Sequence, residues 1–178
     1  MKNKFFLIIG LVLIVVVAVT IANAASEVVI DVHYLTDQGT GKKIGTITAE
    51  QMPYGTLFTP NLSGLSSGIH GFHVHAEGSC GPMEKDEHMV PGLAAGGHFD
   101  PQYTGSHQGP YGKGHLGDLP ALYADSSGKV TLPVLAPRIH IDDLNGHALI
   151  IHAGGDNYSD DPKPLGGGGA RVACGLIK

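Results

Sequence analysis

Apolar residues in this chain recur at every second position over short runs, and glycine, proline, aspartate and serine break each run early. Val28, Ile30 and Val32 share one parity, as do Ile44, Thr46 and Thr48, and a period of two sets one face of a strand against a core. Further strand-like segments are predicted at 54–59, 70–75, 121–124, 130–134, 147–152 and 170–174, with turn residues between them. Eight short strands of this kind predict an all-β sandwich or barrel. The 27 glycines and the absence of tryptophan favour turns over long helices. Residues 78–119 have almost no such alternation, and so long a loop inside a compact domain usually carries function. No internal repeat, linker or second domain is evident.

The first residues follow another logic. Lys2 and Lys4 precede an apolar run over 5–22, and Ala22-Asn23-Ala24 has the small-x-small pattern of a cleavage site. The expected organisation is a signal peptide at 1–24, a domain at 25–178 and a periplasmic destination without stable membrane association after cleavage. The apolar run is long enough that an uncleaved membrane anchor stays open as a second reading. Cys80 and Cys174 are the only cysteines. Export takes them where disulfides persist, which favours pairing over two free thiols.

A formal charge of −5 argues against a general nucleic-acid partner, which must neutralise phosphates with surplus lysine and arginine. Eleven histidines turn attention to borderline transition metals. His73 and His75 flank Val74, and on a strand that spacing points both imidazoles to one face; two solvated histidines are the plainer reading of the tripeptide alone. His98, His107, His115 and Asp118 supply three imidazoles and a carboxylate, a donor set that suits tetrahedral zinc, or else merely a polar loop. His152 ends the apolar run Leu149-Ile150-Ile151 and is a candidate to complete the site begun by His73 and His75. Asp156 follows closely, either as a turn aspartate or as a carboxylate that fixes the tautomer of a metal-bound histidine. Arg171 is either a surface charge or a guanidinium aimed at an anion.

Taken together, Gly71-Phe72-His73-Val74-His75, Gly96-Gly97-His98-Phe99-Asp100-Pro101, Gly114-His115-Leu116-Gly117-Asp118-Leu119-Pro120 and Gly168-Gly169-Ala170-Arg171-Val172-Ala173-Cys174-Gly175 closely resemble the copper/zinc superoxide dismutase family, in its order. Ile151-His152-Ala153-Gly154-Gly155-Asp156-Asn157 and Lys163-Pro164-Leu165 look like its bacterial exported branch. The resemblance implies an eight-stranded Greek-key β-barrel with long metal-binding loops and one copper and one zinc per subunit. It implies disproportionation of superoxide, with copper alternating between Cu(II) and Cu(I). Copper would be held by His73, His75, His98 and His152, and zinc by His98, His107, His115 and Asp118. His98 would bridge the metals and carry a proton, Asp156 would link a copper histidine to a zinc histidine, and Arg171 would guide the anion. Cys80 and Cys174 match the family's intrasubunit disulfide, and His70 matches a histidine placed for structure beneath the copper site. Family members leave open a homodimer as well as a monomer.

Overall fold

The computed structural model describes residues 27–177; the expected signal peptide at 1–24 lies outside the described residues. Twelve strand segments follow one another: β1 (Glu27–Thr36), β2 (Gly39–Met52), β3 (Gly55–Ser63), β4 (Gly68–His70), β5 (Phe72–His75), β6 (Met83–Lys85), β7 (His88–Val90), β8 (Leu122–Ala124), β9 (Lys129–Val130), β10 (Val134–Ala136), β11 (Ala148–His152) and β12 (Arg171–Leu176). Short 3-10 turns at Leu93–Ala95, Ile141–Leu144 and Leu165–Gly167 are the only helical elements among the described residues, and none is long and apolar enough to cross a membrane.

Antiparallel pairing carries the sheet from β3 through β2, β1, β12 and β11 to β5. Gly71 interrupts what is otherwise one strand, so β4 continues β5 and pairs with β8. From β8 the chain turns through an Asp125 N–H to Lys129 carbonyl bond of 2.9 Å into β9, which returns to β3. With β4/β5 and β9/β10 each counted as one interrupted strand, eight strands close a ring. The connections from β3 to β4 and from β10 to β11 skip over neighbours, which is the Greek-key crossing. Closure leaves few exposed strand edges.

Period-two alternation decides what fills the ring. Ile30, Val32, Ile47, Phe58, Phe72, Val74, Leu149 and Ile151 point inward and are buried together, and Phe58 meets Phe72 edge to face at 5.5 Å. The outward partners of Phe72 and Val74 are His73 and His75, and those of Leu149 and Ile151 are Ile150 and His152. They are buried as well, because loops cover this part of the wall. A barrel face roofed by loops is where the polar candidates collect.

The sequence reading needs four adjustments. Val32 pairs with Gly45 and His33 with Lys43, so Ile44 is the extra residue of a β-bulge, and beyond it the parity reverses. Ile47 and Ala49, not Thr46 and Thr48, therefore face the core. Gly45 makes the bulge possible: at φ 144°, a Cβ there would lie 2.0 Å from the Asn61 carbonyl oxygen. The strand expected at 54–59 runs on to Ser63, and that at 130–134 splits into β9 and β10, since Pro133 lacks a ladder donor. Residues 78–119 do hold strands, the exposed hairpin of β6 and β7.

Cys80 and Cys174 form a disulfide with Cα atoms 5.8 Å apart and a sequence separation of 94, tying the long loop to β12. A loop of that size corresponds to roughly 4–5 kcal/mol of unfolded-state entropy in the chain-entropy description.

Candidate metal centre

Two loop segments lie against β5 and bring their side chains to it. His98 bridges to His75 and Asp118 to His73 in isolated antiparallel pairs. Their backbones are locked by Phe99 N–H to Val74 carbonyl, Val74 N–H to Gly117 carbonyl and Gly117 N–H to Phe99 carbonyl bonds of 2.8–2.9 Å. Gly117 is required at this approach, because a Cβ would stand 2.2 Å from the Val74 oxygen. The return loop after β11 supplies the rest: Asp156 sits under Gly166, where a Cβ would come 1.9 Å from its Oδ1 and 2.8 Å from His107 Nε2.

Every candidate ligand falls into one of two groups. Donor atoms of His73, His75, His98 and His152 lie within 4.8 Å of one another, as do those of His98, His107, His115 and Asp118, all seven residues buried. His98 belongs to both. Its Nδ1 is 2.9 Å from Asp118 Oδ1, which leaves Nε2, on the other edge of the ring, for the first group.

Hydrogen bonding fixes which nitrogens are free. His73 Nε2 donates to Asp156 Oδ2 at 2.8 Å, His75 Nδ1 to the Gly96 carbonyl at 2.9 Å and His152 Nδ1 to the Gly169 carbonyl at 3.1 Å. In each neutral ring the second nitrogen is then a bare lone pair. Those atoms, His73 Nδ1, His75 Nε2 and His152 Nε2, together with His98 Nε2 and His107 Nδ1, are buried without a hydrogen-bond partner. Leaving a buried polar atom unpaired costs about 1–3 kcal/mol. Converging lone pairs of this kind suit a metal cation, so the residues present fit two adjacent metals.

Electrostatics agrees with lone pairs kept bare in the first group. Burial pushes His73 down to about 3 and His152 to about 4, and holds His75 well below the ordinary imidazole value. Burial lowers His98 too, against the opposing pull of Asp118. His107 behaves oppositely: burial disfavours its charge, but the carboxylate of Asp118, 3.0 Å from its Nδ1, and that of Asp156, hydrogen-bonded to its Nε2, prevail and raise it to about 9. Both carboxylates are desolvated yet held well below the usual range by His107 with His98 for Asp118, and with His73 for Asp156. Asp156 bridges the two groups, with Oδ2 on His73 and Oδ1 2.8 Å from His107 Nε2.

Arg171, at the start of β12, donates from Nη1 to the Gly92 carbonyl and from Nη2 to the Gly96 carbonyl, each at 2.6 Å. The Gly96 oxygen also accepts from His75, so guanidinium and imidazole share an anchor. His70 is buried between the His152 carbonyl at 2.7 Å and the Ser66 carbonyl at 2.8 Å, apart from both groups. Sequence reasoning missed Asp160, whose Oδ2 accepts the backbone N–H of His107 at 2.8 Å. It also missed the carbonyls of Gly96 and Gly169; a backbone acceptor leaves no mark in residue type.

An antiparallel barrel with two buried donor groups sharing one imidazole defines a two-metal protein. The family model for copper/zinc superoxide dismutase (SODC) matches residues 43–177, and the chain belongs to that family. A copper/zinc superoxide dismutase of Escherichia coli (strain K12) is 52% identical over 170 residues, covering 95% of this chain and 98% of the relative. The solved Cu/Zn superoxide dismutase from Brucella abortus superposes with a TM-score of 0.84 at 48% identity, over 85% of this chain and 99% of that one. The monomeric copper, zinc enzyme from Salmonella enterica gives 0.78 at 53% identity, over 85% and 99%. The protein is a superoxide dismutase: it takes superoxide as substrate and uses copper and zinc.

Proposed function

We propose that copper is held by His73 Nδ1 and by Nε2 of His75, His98 and His152, and zinc by Nδ1 of His98, His107 and His115 with Asp118. The unpartnered ring nitrogens carry this reading. When bound, copper supplies the Cu(II)/Cu(I) couple that zinc lacks, and zinc adds fixed positive charge. The chain does the rest. Two superoxide ions and two protons give one dioxygen and one hydrogen peroxide, so protons must be delivered to the second oxygen species. His98 Nε2 is the atom suited to hold and release one, since Nδ1 is engaged on the Asp118 side and burial makes a proton there easy to surrender. Asp156, by accepting from His73 and His107 together, keeps both rings in the tautomer that leaves their Nδ1 lone pairs free.

A protein of charge −5 repels an anionic substrate at long range, so attraction must be local. Arg171 is the guanidinium for this work. Two of its N–H groups are bound to carbonyls, which fixes its position, and the others are available to an anion. Arg171→Ser is expected to lower the bimolecular rate about tenfold or more at low ionic strength with both metals retained; an unchanged rate at low salt removes the role.

The site of action we propose is the periplasm, after removal of residues 1–24, in keeping with the apolar leader and the disulfide. A homodimer stands beside a monomer as the assembly, and sedimentation equilibrium of the metal-loaded chain decides between them. The activity reading is tested by withdrawing copper with a chelator while zinc stays bound. Activity is expected to vanish and to return with copper but not with zinc, whereas full activity without copper would sink the ligand assignment.

A further inference from the structure

Arg138 follows β10, far in sequence from every metal-ligand candidate, yet its guanidinium is spent wholly on the loop that carries two of them. Nε donates to the Pro110 carbonyl at 3.0 Å and Nη1 to the Gly114 carbonyl at 3.0 Å. Nη2 donates to the Gly109 carbonyl at 3.2 Å and to the His115 carbonyl at 2.5 Å. None of the four acceptors is a carboxylate. A loop whose backbone oxygens turn inward to one point would be left with buried, repelling dipoles, and a planar group with five N–H donors is the side chain that can satisfy them together.

The post on which this guanidinium stands is rigid. On its C-terminal side, Ile139 is buried in the barrel core and its carbonyl accepts from buried Thr56 Oγ1 of β3 at 2.9 Å. Ile141 N–H donates to Gln51 Oε1 of β2 at 2.9 Å. The loop it grips is held tightly within itself: His115 N–H donates to the Ser106 carbonyl at 3.0 Å, and a Cβ on Gly114 would come 2.3 Å from that same oxygen. From the other side, Asp160 takes the His107 N–H. The loop thus lies between a guanidinium fixed to the barrel and a carboxylate from the return loop, with His107 and His115 inside the span.

We propose that Arg138 is the positioning residue that sets how long this protein retains zinc, by fixing the backbone from Gly109 to His115 so that His107 and His115 stay at ligand distance. The proposal rests on the assignment of those two histidines to zinc. All four of the guanidinium's hydrogen bonds go to the loop between Gly109 and His115 and none to the copper group, so its effect is selective. A residue that merely supported the barrel would loosen both metals alike.

The test follows release of each metal from the copper- and zinc-loaded protein into a chromogenic chelator, in the wild type, Arg138→Met, Arg138→Lys and His115→Ala. Zinc release is expected to accelerate at least about tenfold in Arg138→Met, the range that supporting residues around metal ligands command, with copper release within about twofold of wild type. Lysine keeps the charge but not the planar fork, and Arg138→Lys is expected between the two. Zinc release within twofold of wild type in Arg138→Met, or equal acceleration of both metals, would overturn the proposal. Should Arg138→Met fail to yield a folded, disulfide-bonded protein, Arg138→Lys decides on the same criterion, with about threefold faster zinc release expected. A zinc phase indifferent to His115→Ala overturns the ligand assignment and the proposal with it; one that depends on His115 but not on Arg138 overturns the proposal alone.

Discussion

Replacing His98 with alanine is expected to lower superoxide dismutase activity by about 100-fold or more and to weaken both metals at once. The side chain is 1% exposed and stands in both donor groups, so its loss removes one of four donors from each. Asp118 Oδ1 also loses one of its imidazole neighbours, at 2.9 Å. Removal of a positioned proton carrier alone typically costs 10²–10⁴-fold. Activity should therefore stay low even when copper and zinc are supplied in excess and occupancy is restored. The measurement is superoxide removal normalised to metal content determined on the same sample. His88→Ala, on the exposed β6–β7 hairpin, is the matched control and is expected to behave as wild type. Activity within tenfold of wild type at full occupancy would show that the shared imidazole is dispensable.

His98 also marks the border between what the sequence makes legible and what it hides. His73 and His75 are readable because a strand has a fixed period: Phe72 and Val74 declare the inner face, and the histidines must take the outer one. The same rule goes astray on β2, where one extra residue at Ile44 reverses the parity, and nothing in the residue types before or after announces it beyond a glycine. His98, His107, His115 and Asp118 have no period, since a loop can bring any spacing to a point. They became readable through their order among motif blocks resembling a family, not through geometry. Arg138 and Asp160 were silent for a physical reason. They act on backbone carbonyls and N–H groups, which every residue possesses, so neither partner leaves a compositional trace. The Gly166 position is similar: its φ of 70° and the carboxylate 1.9 Å from an added Cβ exist only once the return loop is folded.

The same buried imidazoles make the metal-free protein acid-sensitive well above the range in which carboxylates titrate. His73, held at about 3, and His152, at about 4, with His75 and His98 also lowered, resist protonation in the native state. The unfolded chain takes those protons near pH 6.5. Their contribution is therefore fully present above about pH 7 and is lost as pH falls toward the native values. One such group costs about 1.4 kcal/mol per pH unit below 6.5, so two of them at pH 5 amount to roughly 4 kcal/mol against a typical domain stability of about 5–15 kcal/mol. His107 works in the opposite sense. Raised to about 9 by Asp118 and Asp156 against its burial, it adds stability that is full below about 6.5 and disappears as pH rises through 9. The expected optimum of the metal-free protein lies near neutrality, with a steep fall from about pH 6.5 to 4.5 and a shallower one between about pH 7 and 9 as the His107 contribution is lost. In the proposed assignment bound metals would occupy the same lone pairs and compete with protons for them, so the loaded protein should hold its stability to lower pH. Denaturant midpoints of both forms at half-unit steps from pH 4.5 to 9.5 provide the measurement. A metal-free midpoint that stays flat between pH 7.5 and 5 would mean that the native and unfolded chains gain protons in step there, and that these rings titrate near their ordinary value in the native protein.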